Sequence, residues 1–182
     1  PGTWGTKKRR EPPKGVNEKT ASRRDQTSER SHPVPQSYVK LIYHCTFSTK
    51  GRVAALYEDM RPRLHAYIAQ TINNEFGFAR EVGGVDDHVH ILCDVRQTVK
   101  ICDLMERVKS ASSGWIHGEF PQLLDTNWQK GYGAFTVSAS LAPKVKKYIQ
   151  EQPRHHEELT FRREFRRLLE KHGIEFDEEY LS

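Results

Sequence analysis

Beyond residue 36 the chain alternates between short apolar runs and longer stretches of periodic polarity. SYVKLIYHCTF, which starts at Ser37, is dominated by apolar and aromatic residues of high strand propensity and predicts a strand that Lys50-Gly51 ends. Leu56, Met60, Leu64, Tyr67, Ile68 and Ile72 follow at helical spacing and predict a long amphipathic helix stopping at Phe76-Gly77. Phe78 to Gly83 and His88 to Val95 read as two strands around Gly84-Val85-Asp86-Asp87, residue types that tolerate a hairpin turn. A second helix is expected after Thr98, with Ile101, Leu104, Met105, Val108 and Ile116 turned inward. Trp128 to Ser138 reads as another strand, in which Gly131 and Gly133 bracket Tyr132.

This order of strand, helix, strand, strand, helix, strand predicts an α+β fold, a ferredoxin-like (RRM-like) antiparallel sheet packed on two helices. Two elements exceed that minimal unit. One is a helix starting near Ala142-Pro143 and carrying Tyr148; the other is a charged helix from about Arg154 to Gly173, ended by its glycine. In the charged helix Leu159, Phe161, Phe165, Leu168 and Leu169 form an inner face, so its charges are expected to be solvated.

Charge changes the picture at the start of the chain. Residues 1 to 36 hold nine Lys/Arg against four Asp/Glu, a surplus equal to the +5 of all 182 residues. With little to bury besides Trp4, Val16 and Val34, residues 1–35 are expected to be a disordered basic arm suited to phosphate, ahead of one domain over 36–182. No apolar run approaches the roughly 20 residues of a membrane helix, and no apolar segment follows the basic start, which predicts a cytoplasmic protein. Cys45, Cys93 and Cys102 lack C-x-x-C spacing and are expected to be reduced, buried packing residues.

The candidate chemistry lies on the third strand and the first extra helix. In GGVDDHVHILCDV, His88 and His90 are two apart, so a strand projects both imidazoles from one face, half of a metal site. Tyr148 and Gln152 are four apart, a phenol beside a carboxamide on one helical face. Cutting and rejoining a phosphodiester without external energy calls for a covalent intermediate: a tyrosine nucleophile keeps the bond energy as a phosphotyrosine that a free 3′-hydroxyl can reverse, which water cannot do. His88, His90 and Gln152 would hold a divalent cation to stabilise charge on the phosphate. His155 and His156 are excluded from the ligand set because adjacent side chains diverge, and Asp86 and Asp87 are assigned to the turn. Lys109, Ser110, Ser112 and Ser113, with Lys130 and Tyr132, are the expected DNA contacts, hydroxyls and cations for phosphates and an aromatic face for bases.

SYVKLIYHCTFSTKGR, DDHVHIL, KSASSGWI, WQKGYGAFTVS, YIQEQPRHH and HGIEFDEEYL occur in this order. Together they closely resemble the single-tyrosine HUH transposases, including the REP-associated tyrosine transposases and the transposases of the smallest bacterial insertion sequences. The resemblance spans roughly Gln36 to Leu181. It implies a single-stranded DNA transposase that cleaves and rejoins DNA next to hairpins. Within it, His88 and His90 bind Mg²⁺ or Mn²⁺, Gln152 completes the protein ligands, and Tyr148 forms a 5′-phosphotyrosine. It also implies a homodimer in which the tyrosine helix can act in cis or in trans. Two alternatives remain at this stage: a non-catalytic hairpin-binding module of the same fold, and a nickase of the replication-initiator or relaxase type.

Overall fold

The computed structural model describes Gly2, residues 37–154 and residues 160–178. The expected basic arm, His155, His156 and Leu159 lie outside the described residues. The chain divides after Ser37, and Tyr38–Ser182 is the unit described below.

Four strands, β1 (Ile42–Ser48), β2 (Gly77–Gly84), β3 (His88–Val95) and β4 (Gly133–Thr136), form an antiparallel sheet in the order β2-β3-β1-β4. Helix α1 (Arg61–Glu75) joins β1 to β2, and α2 (Ile101–Glu119) joins β3 to β4, which completes the ferredoxin-like arrangement read from the sequence. Helices α3 (Ala142–Gln150) and α4 (Phe161–Lys171) follow the sheet.

Strand alternation gives the sheet two chemically different faces. Cys45 and Phe47 of β1 and Val89, Ile91 and Cys93 of β3 pack with Leu64, Ile68, Leu104, Met105 and Val108 into the main core. Ile42 and Leu92 point the other way and pack with Ala142 and Ile149, which seats α3 on the opposite face. Phe135 of β4 continues that face, packing with Leu168 and Leu169 of α4. Gly83 permits the close approach of α3, because a Cβ there would meet both the Cγ2 and the carbonyl oxygen of Ile149 at 2.8 Å.

Boundaries differ from expectation at four elements, the first being β1, which begins at Ile42 and not at Ser37. Leu56 and Met60 are buried but precede α1; the Ala55 and Leu56 amides donate to the Asp86 carbonyl, and Pro62 sets the helix start. The last strand is shorter than Trp128 to Ser138: Trp128 makes an isolated bridge to Thr49, and the carbonyls of residues 129–131 turn onto Lys109 Nζ instead of pairing with β1. The charged helix occupies Phe161–Lys171, with Gly173 just beyond it at φ 64°, the left-handed conformation that closes helices. Cys45 and Cys93 are buried, but Cys102 is exposed on the first turn of α2. Among the described residues no helix is long and apolar enough to cross a membrane.

Candidate metal and nucleophile site

His88 and His90 project from β3 onto the face that carries α3 and α4, and both are fully buried. The register of β1 against β3 pairs Ser48 with His88, Thr46 with His90 and His44 with Leu92, so His44 lies diagonally beside His90. His44 Nε2 and His90 Nδ1 are 2.9 Å apart.

Each imidazole is oriented through its rear nitrogen. His88 Nδ1 lies 2.6 Å from the Asp87 carboxylate, a bond that fixes the proton on Nδ1 and leaves Nε2 facing the site. Asp87, assigned to the turn from sequence, thus also holds the histidine. The bond to His44 serves His90 in the same way when His44 accepts. Burial, then the neighbouring His90, lowers the His44 pKa to about 3, which makes His44 a neutral partner near pH 7.

The front of the site gathers electron-rich atoms. Gln152 Oε1 is 3.0 Å from His88 Nε2, and Glu164 of α4 places Oε1 3.0 Å from His90 Nε2 and Oε2 3.6 Å from His88 Nε2. His90 Nε2 is buried and stands 3.0 Å from Glu164 Oε1 without the angle of a hydrogen bond. His88, His90 and Glu164 therefore form a group able to hold a metal ion, with donor atoms within 4.8 Å of one another. An orphaned ring nitrogen beside a buried carboxylate is unfavourable in the protein alone and favourable around a divalent cation, so the residues fit such an ion.

Tyr148 completes the cluster. Its hydroxyl donates to Glu164 Oε1, which also accepts from Gln152 Nε2 at 2.9 Å, and its ring meets His90 edge-on with centroids 5.8 Å apart. Burial and the adjacent Glu164 charge push the phenol pKa well above its ordinary value. Burial alone would raise the Glu164 carboxyl, but the imidazoles of His90 and His88 and the Tyr148 hydroxyl together hold it well below the usual carboxylate range. Phe161 stacks on His88 at 4.5 Å and closes that side.

All four residues expected at the site, His88, His90, Tyr148 and Gln152, come together. Gln152 does so from two residues beyond the end of α3. Glu164 corrects the expectation that the charges of the last helix are solvated: it is 4% exposed. Its signal lay in the periodicity, since 161, 164, 165 and 168 share one helical face and Glu164 interrupts an apolar stripe.

The expected DNA contacts lie elsewhere. Ser112 is fully buried, donates to the Val108 carbonyl at 2.6 Å and accepts from Trp128 Nε1 at 2.9 Å, so it anchors the core. Lys109 is half-buried, with Nζ 3.0 Å from the carbonyls of Lys130 and Gly131. Ser110, Lys130 and Tyr132 are exposed and Ser113 is half-buried.

The family of IS200-like transposases matches residues 37–152. A solved structure of a Deinococcus radiodurans R1 protein, described as a transposase, is similar at a TM-score of 0.54 and 25% identity, over 64% of this chain and 95% of that one. The structure of a REP-associated tyrosine transposase bound to a REP hairpin is similar at a TM-score of 0.51 and 14% identity, over 68% of this chain and 73% of that one. No curated protein matches the chain.

Proposed function

We propose, since the chain belongs to the IS200-like transposase family, that it cleaves and rejoins single-stranded DNA beside hairpins through a covalent 5′-phosphotyrosine on Tyr148. The observation that carries this reading is the convergence of one phenol, two imidazoles, a carboxamide and a carboxylate in a single buried cluster. A structural tyrosine needs none of these partners.

In this reaction the Tyr148 oxygen attacks phosphorus, the bond from phosphorus to the 3′-oxygen breaks, and the 3′-hydroxyl that departs can later attack the same phosphorus to restore a phosphodiester. Glu164 already accepts the phenolic hydrogen bond and keeps Tyr148 neutral and oriented. His88, His90, Gln152 and Glu164 are the residues to hold Mg²⁺ or Mn²⁺, with Asp87 and His44 behind them. Nitrogen ligands favour manganese. When bound, such an ion supplies positive charge for the phosphate oxygens and offsets the Glu164 charge that raises the phenol.

The relative seen with a REP hairpin supports hairpin DNA as the partner. Ser110, Ser113, Lys130 and Tyr132 are its proposed contacts, with Lys109 shaping the 129–131 loop. The scheme extends to a homodimer in which the tyrosine helix acts in cis or in trans.

The test is a denaturing gel of the protein with labelled hairpin-bearing single strands from the flanks of its own gene. A Mn²⁺-dependent covalent adduct is the expected result. Hairpin binding with no adduct at any flank position would leave a binding module in place of an enzyme.

A further inference from the structure

Beside Tyr148, between α3 and α4, runs an open cleft of about 550 Å³. Its volume lies in the range of about 300–1,000 Å³ in which small organic groups are bound. Polar groups, among them His44, Thr136 and His172, share its lining with apolar and cationic side chains. Leu141, Val145 and Leu168 give it apolar walls, and Lys144, Arg167 and Lys171 bring three cations to its rim.

Four of the five other cations on the same two helices are paired with carboxylates; among the described residues Arg163, which does not line the cleft, is the exception. Lys146 pairs with Glu81, Lys147 with Glu151, and Arg166 with Glu170 and Glu178. Arg162 also pairs with Glu178. Lys144, Arg167 and Lys171 have no carboxylate at ion-pair distance among the described residues. The one acid lining the cleft, Glu164, is engaged by Tyr148 and Gln152. Unneutralised positive charge around an apolar slot complements a nucleotide, with its phosphate on the rim and its base within.

We propose that this cleft binds the single-stranded nucleotides flanking the phosphate presented to Tyr148, as a subsite separate from hairpin recognition. The assignment rests on the transposase reading above and adds to it the path of the strand. Walls from α3 and α4 bring the unpaired strand to the tyrosine, while the hairpin is gripped elsewhere.

The test is fluorescence anisotropy on the full chain in EDTA, using a hairpin with a (dT)₁₀ extension and the same hairpin without one, across a salt series. In the wild type the extension should tighten binding. The K144A/R167A/K171A variant should lose about tenfold for the extended probe, lower its log-log salt slope by about 2, at roughly 0.7 per phosphate contact, and bind the bare hairpin unchanged. The R162A/R166A control removes paired cations from the same helix and should leave both probes unaffected. An unchanged slope for the extended probe in the triple variant would overturn the cleft while leaving the transposase reading intact. A wild type that binds neither probe would remove that reading and the cleft together. Tighter binding of a (rU)₁₀ extension than of (dT)₁₀ would overturn DNA as the occupant.

Discussion

The two faces of the sheet are built from alternate residues of the same strands, yet they are specified differently. On the α1 and α2 side, Val89, Ile91 and Cys93 fill volume among other apolar groups, where shape and transfer free energy decide the outcome. On the α3 and α4 side, His88 and His90 meet particular atoms at 2.6 to 3.0 Å. One face tolerates any side chain of similar size and polarity. The other tolerates almost no change in the identity or position of its polar atoms.

Substitutions on each face should therefore separate stability from chemistry. The largest effect is expected for Tyr148→Phe, which should abolish the covalent adduct while leaving hairpin affinity within a few-fold of wild type; an undiminished adduct would remove Tyr148 from the mechanism. His88→Ala combined with His90→Ala should eliminate both Mn²⁺-dependent cleavage and the rise in Tm that Mn²⁺ gives the wild type. Cleavage that persists at low Mn²⁺ would exclude these ligands.

Ile91→Ala, next to His90 on the same strand but facing the core, should behave in the opposite way. It should cost about 2–5 kcal/mol in urea denaturation, yet adduct yield per folded molecule should stay near wild type at low temperature. Asp87→Asn should weaken Mn²⁺ binding by calorimetry about 10–100-fold, with little change in the melting of the metal-free protein.

The smallest effect should appear with pH. An unfolded histidine takes up a proton near pH 6.5, whereas folded His44 does so only at about 3, so unfolding binds protons between those values. Stability is full above about pH 6.5 and falls as the solution is acidified toward 3. His44→Leu should flatten the Tm-versus-pH curve between pH 7 and 5, leaving a residual slope from His65, whose pKa burial lowers to about 4, and from His90 and His172, which burial also lowers.

What could be read from sequence follows the same division. The core face was legible because apolar residues at periods of 2 and 3.6 mark it directly, and the histidine pair stood out by its spacing on one strand. Tyr148 and Gln152 were visible as chemistry-bearing neighbours, although Gln152 reaches the site from beyond the helix and not from its face. Glu164 was missed because charge on a helix is usually solvated, and only its position between Phe161 and Leu168 marks it as inward. His44 was missed because its partner depends on the register between β1 and β3, which the pattern within either strand does not determine. Ser112 was misplaced for a related reason: in an amphipathic helix a serine facing inward is polar by name, but here it is committed to Trp128.

That Glu164 reaches the site from α4 also bears on how the protein is made. During synthesis β3 leaves the ribosome first, Tyr148 and Gln152 follow, and the carboxylate emerges after all of them. For about 1–3 s, at about 5–20 residues synthesised per second, the nascent chain holds its histidines and its tyrosine without Glu164. The group that keeps the phenol neutral is the last to arrive, so the fully restrained nucleophile is a property of the finished domain.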